Sequence, residues 1–381
     1  MSRIDELIVE LAPGGVEVKA LGEVGEFIRG NGLQKADLRD AGFPAVHYGQ
    51  IHTHYGVWAT ETKSFTDENI AVKLRHARPG DLLIATTSED DDAVAKATAW
   101  LGNTDVALSG DAYIYRHELE PKYVSYFFQS TSFQDQKRRY ISGTKVRRVS
   151  GDSLAKIRIP VPPLEVQREI VRILDQFTQL EAELEAELEA RRRQYEHYRE
   201  YLLALTEVSE FKTLGDVVRI RNGKDHKHLD GGEIPVYGSG GIMRYVDSSS
   251  AQGPSVLIPR KGSLGNLFYV EGPFWNVDTI FSTEIDTTLV EPKFLFHQLS
   301  IMKLGEMNQA GGVPSQTQSV LNRLRLAIPP LDEQRRVVSI LDKFDALVND
   351  LSVGVPAELA ARRKQYEYYR DKLLTFKELA A

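Results

Sequence analysis

The chain has 381 residues, 42% of them hydrophobic and 27% charged, with a formal net charge of −7 and no cysteine. That length allows two or three domains, no apolar run approaches the roughly 18 residues a membrane span needs, and the acidic opening Met1–Glu6 is unlike a secretory signal. Disulfides, thiol nucleophiles and cysteine–zinc sites are excluded, a cytoplasmic protein is expected, and any nucleic-acid contact must come from local rather than overall positive charge.

In chain order, Ser2-Arg3-Ile4-Asp5 reads as a capping box for a first helix carrying Ile4, Leu7, Ile8 and Leu11 on one face, which Pro13-Gly14-Gly15 ends. From about residue 16 to 157 the chain is a run of short β-type segments broken by glycine, among them Asp81–Ala85. Glu89-Asp90-Asp91-Asp92 reads as a helix start before Ala93-Val94-Ala95-Lys96. Glu120-Pro121-Lys122 resembles the Glu-x-Lys of nucleases, but proline at a first helical position beside an acid explains it better.

From Leu164 to Leu205 the pattern is one long helix. Val171, Leu174, Phe177, Leu180, Leu184, Leu188, Tyr195, Tyr198, Leu202 and Leu205 step mostly by three and four, a coiled-coil seam without a strict heptad. Within it lies a tetrapeptide repeat, Leu180–Glu183, Leu184–Glu187 and Leu188–Arg191. At about 1.5 Å per residue the helix spans roughly 63 Å. A second α+β stretch, about 209–325, contains Ser255–Ile258 as a buried strand, and Pro235–Gly241 reads as a tight turn because it lacks the spacing of a phosphate loop. A second long helix runs from Leu331 to about Phe376, with a break or kink expected at Val353-Gly354-Val355-Pro356.

The second half repeats the first. Pro162-Pro163-Leu164-Glu165-Val166-Gln167-Arg168 returns as Pro329-Pro330-Leu331-Asp332-Glu333-Gln334-Arg335, and Ile173-Leu174-Asp175-Gln176-Phe177 as Ile340-Leu341-Asp342-Lys343-Phe344, both 167 residues later. Arg192–Arg199 returns as Arg363–Arg370, and Leu119–Val124 as Val290–Leu295, both 171 residues later. The globular parts otherwise share few residues, so the frame is duplicated while its contents have diverged. Each long helix alone would expose an apolar stripe. Packing the two antiparallel, with one globular unit at each end, is the economical solution, and gives an α+β chain with a pseudo-two-fold internal repeat.

Cations cluster locally. Gln136–Arg148 holds Lys137, Arg138, Arg139, Lys145, Arg147 and Arg148 with no acid, a density suited to phosphate contact or else to a solvated strip. His47–Gly56 places three histidines in eight residues. A metal site is one reading; a strand-loop offering Tyr48, Gln50 and His52 to base edges is another, and plain loop packing is a third. In the second half, Arg221–Lys227, with Lys224, His226 and Lys227, and Ile258–Gly265, with Arg260, Lys261 and Ser263, are basic glycine-containing loops fit for DNA. Leu184, Tyr195, Tyr198, Tyr366 and Tyr369 sit on seam spacing and read as core or partner surface. No phosphate loop, methyltransferase Asn/Asp-Pro-Pro-Tyr motif or persuasive triad is present in the sequence.

The duplicated Pro-Pro-Leu-x-x-Gln, Ile-Leu-Asp-x-Phe and Arg-x-Gln-Tyr-x-x-Tyr-Arg elements resemble the conserved regions of type I restriction-modification specificity subunits over the whole chain. Tyr48–Thr53, Ile141–Val146 and Ile234–Gly241 resemble segments of that family's target-recognition domains, and the leucine–acid repeat its spacer-setting repeat. The resemblance implies two target-recognition domains, 1–157 (with the N-terminal helix) and 209–326, separated by long helices within 158–208 and 327–381. It further implies a non-catalytic subunit that reads a bipartite asymmetric site in double-stranded DNA. Its helices would set the spacer and dock two modification subunits, which bind S-adenosylmethionine and methylate adenine. Restriction subunits using ATP and Mg can join. No cofactor is expected in this chain. The competing classes are a stand-alone nuclease or methyltransferase and a coiled-coil scaffold.

Overall fold

The computed structural model describes residues 3–204, 210–307, 314–349 and 354–379. Two compact units emerge: one of residues 1–183 and 359–381, the other of 184–358. Both long helical segments are shared between the units.

The first helix is Arg3–Leu11, with Ile4 and Leu7 buried; Ser2 of the expected capping box lies outside the described residues. The first unit contains a five-stranded sheet in the order Gly25–Arg29, Ala112–His117, Leu82–Ala85, Lys96–Trp100, Trp58–Ala59. Its four-stranded sheet has the order Ser64–Thr66, Phe43–Val46, Val106–Leu108, His76–Ala77. The second unit has two four-stranded sheets. One runs Val218–Arg221, Ile280–Ile285, Ser255–Pro259, Phe268–Val270; the other runs Gly241–Val246, Ile234–Gly238, Pro273–Asn276, Ala251–Gln252. The tight turn expected over Pro235–Gly241 is thus confined to Ser239-Gly240, with strand on either side. In each unit the second sheet contains one parallel pair, Phe43–Val46 with Val106–Leu108 and Ile234–Gly238 with Pro273–Asn276. Each unit is closed by a two-stranded ribbon, Glu17–Ala20 with Arg158–Val161 and Glu210–Thr213 with Arg325–Ile328. The duplication therefore extends through the strand order, where few residues are shared.

The repeated motifs form one repeated joint. Gln167 is buried; it accepts the Glu120 backbone N–H at 2.9 Å and donates to the Pro162 carbonyl at 2.8 Å. Gln334 does the same with Glu291 at 2.7 Å and Pro329 at 2.7 Å. Lys122 pairs with Asp175 at 2.8 Å, and Lys293 with Asp342 at 3.0 Å. The Glu-Pro-Lys segments start the helices Pro121–Gln129 and Pro292–Ile301 with proline in the first turn, and Glu120 caps the first by accepting the Tyr123 N–H. Glu120 and Lys122 are thus engaged in holding a helix to the long helix, in keeping with their reading as a helix start.

The first long helix runs Leu164–Ala204, 41 residues and so about 62 Å; Leu205 lies outside the described residues. Val171, Leu174, Leu188 and Tyr195 are buried, but Leu180 is 45% exposed, so the expected seam is interrupted there. The second copy is two helices, Leu331–Asn349 and Gly354–Leu373. The expected interruption is marked by Gly354 at the start of the second of these helices; Val353 lies outside the described residues. Gly354 has φ +71°, and a Cβ on it would meet the Leu347 carbonyl oxygen at 2.8 Å, so glycine is needed there. Pro356 follows in the first turn, where its missing N–H costs nothing.

Helix pairing within the first unit is antiparallel. Phe177 stacks on Tyr369 at 5.5 Å and Glu181 pairs with Arg363 at 2.6 Å, numbers rising on one helix as they fall on the other. In the second unit, Tyr198 stacks on Phe344 at 5.6 Å. Each unit thus combines the Ile-Leu-Asp-x-Phe motif of one repeat with the Gln-Tyr-x-x-Tyr-Arg motif of the other. The first unit's core joins Tyr115, Tyr123, Tyr126, Phe127, Phe128 and Phe133 to Val166, Ile170 and Leu174 of the long helix and to Tyr366 and Leu374. Each such buried side chain contributes about 1.5–3 kcal/mol.

Candidate nucleic-acid interface

The basic run of the first unit is divided by its neighbours. Ser130 caps the helix Thr131–Arg138, which carries Lys137 inward. Lys137 is fully buried, its Nζ donating to the carbonyls of Asp92 at 3.0 Å and Val94 at 2.9 Å. Burial pulls its pKa down to about 8. Lys137 is therefore a structural pin and cannot reach a phosphate, which corrects its reading as a DNA contact. The acidic run Glu89–Asp92 does not start a helix either: it lies in a turn ahead of the strand Lys96–Trp100, and Ala95 adopts φ +65°. These residues serve instead as acceptors for the basic run, Asp91 pairing with Arg147 at 2.8 Å.

Arg138 is exposed and pairs with Asp135 at 3.1 Å; Arg139 is exposed, 5.0 Å over the Tyr140 ring. Ser142 and Arg148 exchange both backbone hydrogen bonds at 2.9 Å, closing the loop between them. Lys145 stands exposed on that loop, with no ion-pair partner among the described residues. Arg148 lines a cleft of about 350 Å³ with Arg29, Thr87, Asp111, Tyr113 and Ser150. Of the six cations, Lys145, Arg148, Arg138 and Arg139 remain open to an anionic partner, and Arg147 is half-spent on Asp91.

His47–Gly56 is not a strand-loop. Tyr48–Thr53 is a short helix capped by His47, whose Nδ1 accepts the Gly49 N–H at 3.3 Å. Gln50 accepts the His47 N–H at 3.0 Å and donates to Ser64 Oγ at 2.8 Å. His52 Nε2 lies 2.9 Å from the Thr87 carbonyl, so that nitrogen carries the proton. Burial lowers the pKa of both His47 and His52. Gln50 and His52 thus brace the local fold, and both remain half-buried, as Tyr48 does. No cluster of three metal-ligating side chains occurs among the described residues.

In the second unit Lys224 and Lys227 are exposed and His226 is half-buried. Lys224 edges a polar cleft of about 540 Å³ with Asn222, Gln252, Asn276 and Gln318. Asn222 and its companions escaped the sequence reading; an amide next to the cation run Arg221–Lys227 was the available signal, since amides suit adenine edges. Arg221 is engaged by Glu284 at 2.8 Å. Arg260 is half-buried, 5.8 Å over Phe281, while Lys261 and Ser263 are exposed.

The seam residues divide likewise. Tyr195 and Tyr366 are buried, Arg199 and Arg370 lying over their rings at 5.3 and 5.6 Å, and the Tyr366 hydroxyl donates to Gln129 at 3.0 Å. Both are internal, which corrects their assignment to a partner surface. Leu184 and Tyr369 are half-buried and Tyr198 is exposed. Exposed Trp58 and Leu180, beside a cleft lined by Asp175, Gln176 and Gln179, add an apolar patch that the pattern did not reveal.

A family model described as the type I restriction modification DNA specificity domain matches residues 13–190 and again 207–361. The chain is 36% identical over 264 residues to a Haemophilus influenzae protein that bears the name of a putative type I restriction enzyme specificity subunit, covering 62% of this chain and 68% of the relative. It is 33% identical over 297 residues to an Escherichia coli type I restriction enzyme specificity subunit, covering 67% and 70%. Its fold is similar to a solved chain from work on complex assembly and conformational transition of the type I restriction-modification system. There the TM-score is 0.66 at 19% identity, over 96% of this chain and 98% of that one. Among the described residues no helix is long and apolar enough to cross a membrane.

Proposed function

Because the chain belongs to the type I restriction-modification DNA specificity family, we propose that its two diverged modules each read one half of a bipartite, asymmetric sequence in double-stranded DNA. The chain is a specificity subunit: it confers target choice and leaves the chemistry to the subunits it assembles with. The observation that carries the two-module reading is the duplicated joint, Gln167 on Glu120 and Gln334 on Glu291, supporting frames of matching strand order and different contents.

The recognition domains are residues 1–157 and 209–326, and the helical segments within 158–208 and 327–381 set the gap between half-sites. The helices also dock two modification subunits, which hold S-adenosylmethionine and methylate adenine; restriction subunits with ATP and Mg join where the system has them. Phosphate contact falls to Arg138, Arg139, Lys145, Arg148, Lys224, Lys227 and Lys261, which project into solvent. Trp58, Leu180 and Tyr198 offer the exposed apolar area for a partner. A stand-alone nuclease is disfavoured because Glu120 caps a helix and Lys122 is paired with Asp175.

The test is to express the chain with its modification subunit and map methylated adenines. Methylation at a two-part site with a constant gap is expected, with no transfer by this chain in isolation. Robust methyl transfer by the isolated polypeptide overturns the reading.

A further inference from the structure

The two modules diverge most at one topological position. After the strand Phe43–Val46 the first unit inserts the helix Tyr48–Thr53 and the strand Trp58–Ala59 before returning along Ser64–Thr66. After the corresponding strand Ile234–Gly238 the second unit turns at once through Ser239-Gly240 and returns along Gly241–Val246. In a duplicated frame, the place where the contents differ is where the targets differ.

That hairpin has unusual features. Gly241–Val246 is an edge strand, yet Ile242, Met243 and Tyr245 are 48%, 59% and 53% exposed. A bare apolar edge invites mispairing unless it serves a partner. Its register shifts between Val236 and Tyr237, with Val236 opposite Arg244 and Tyr237 opposite Ile242, which makes Met243 the extra, bulged residue. Bulges re-aim side chains.

Cations flank the tip. Thr279 holds both sides together: its hydroxyl accepts the Ser239 N–H at 3.3 Å, and its carbonyl accepts those of Arg260 at 2.8 Å and Lys261 at 3.2 Å. Asn266 donates to the Ser239 carbonyl at 3.2 Å. Neither Arg260 nor Lys261 has a carboxylate partner among the described residues.

We propose that the hairpin Ile234–Val246 is a two-stranded ribbon that enters the major groove of DNA. Ile242 and Met243 meet base edges, thymine methyls in particular, and Arg260 and Lys261 hold the flanking phosphates. The major groove admits a two-stranded ribbon, and apolar side chains there distinguish the thymine methyl. Charge complementarity selects DNA over a protein surface as the occupant. The proposal rests on the two-module reading and names the reading element of the second module.

The experiment uses the complex with the modification subunit, compared with a double variant Ile242→Ser/Met243→Ser and a second, Arg260→Ala/Lys261→Ala. If the wild-type complex makes no two-part methylation, the two-module reading itself fails. Given that activity, the serine variant is expected to relax one or two positions in one half-site only. Its affinity for the specific site should drop roughly tenfold while non-specific affinity stays the same. Met243→Leu, with Ile242 kept, should retain most of the discrimination. The alanine variant should weaken binding to every sequence and lower the salt slope by about 2. Unaltered half-sites with wild-type affinity in the serine variant overturn the proposal. Loss of co-purification with the modification subunit also does so, by placing the hairpin against protein. Both targeted side chains are exposed, so an unchanged thermal midpoint will confirm that the fold is intact.

Discussion

Gln167 Oε1 accepts the backbone N–H of Glu120 across 47 residues of sequence. Its amide nitrogen simultaneously donates to the Pro162 carbonyl, so one buried side chain ties a helix start, a strand end and the long helix together. Gln334 repeats the arrangement and adds the Leu289 carbonyl at 3.0 Å.

Replacing Gln167 or Gln334 by Leu leaves a buried N–H and at least one buried carbonyl unpaired. Each substitution should cost about 2–3 kcal/mol. Denaturant unfolding, followed separately by probes in each unit because the chain is not expected to be two-state, should find the Gln334 variant weakening mainly the second unit. An unchanged midpoint for both variants would remove the joint from the account of stability.

Lys137 makes a pH prediction. Its pKa is pulled down to about 8 by burial, below the roughly 10.4 of an exposed lysine. Between those values the unfolded chain binds the proton that the folded chain has released, so this group makes stability rise as pH climbs from about 8 towards 10. Lys137→Met should flatten that part of the stability profile, as read from the melting temperature at successive pH values. It should leave the salt dependence of DNA binding unchanged, because the side chain faces two carbonyls and no solvent.

Lys145 and Arg148 behave oppositely. Changing both to Ala should weaken binding to all DNA and lower the salt slope by about 2, because each neutralised phosphate contributes about 0.9 to it. Adding Arg147→Ala should bring a smaller further change, since Asp91 already engages that guanidinium. Titration of binding against salt concentration checks this; a slope equal to wild type would mean the loop points away from the duplex.

Deleting Leu184-Glu185-Ala186-Glu187 removes four residues, about 6 Å of helix. The tetrapeptide that follows begins again with leucine, and four residues exceed one turn by only about 40°, so the seam stays near register. With base pairs about 3.4 Å apart, the mapped half-sites should draw closer by about two base pairs, with their own sequences unaltered. Retention of the original gap, or altered half-site bases, would show that this helix does not set the spacing.

The frame was legible because it is written twice: the long helix, the broken second copy and the proline-initiated helices follow from repeat and periodicity. The site was less so, because whether a cation is free depends on residues far along the chain. Lys137 and Lys145 look alike within one basic run, yet the Asp92 and Val94 carbonyls consume the first. His47 and Gln50 fall in a stretch that alternates as a strand would, but they cap each other across a helix start. Tyr195 and Tyr366 occupy seam positions whose partners only the crossed helix pairing supplies. Met243 sits on a bulge that no periodicity encodes.

That crossed pairing also orders events on the ribosome. The second unit is a single uninterrupted stretch, 184–358, and can complete its packing as soon as it emerges. The first unit borrows 359–381 to cover Tyr126 and Phe177, so its aromatic face stays open while the whole of the second unit is synthesised. At about 5–20 residues per second that is a wait on the order of ten to thirty seconds. A chain that ends before Tyr366 would therefore carry a finished second module attached to a first one whose Tyr126 and Phe177 lack their cover.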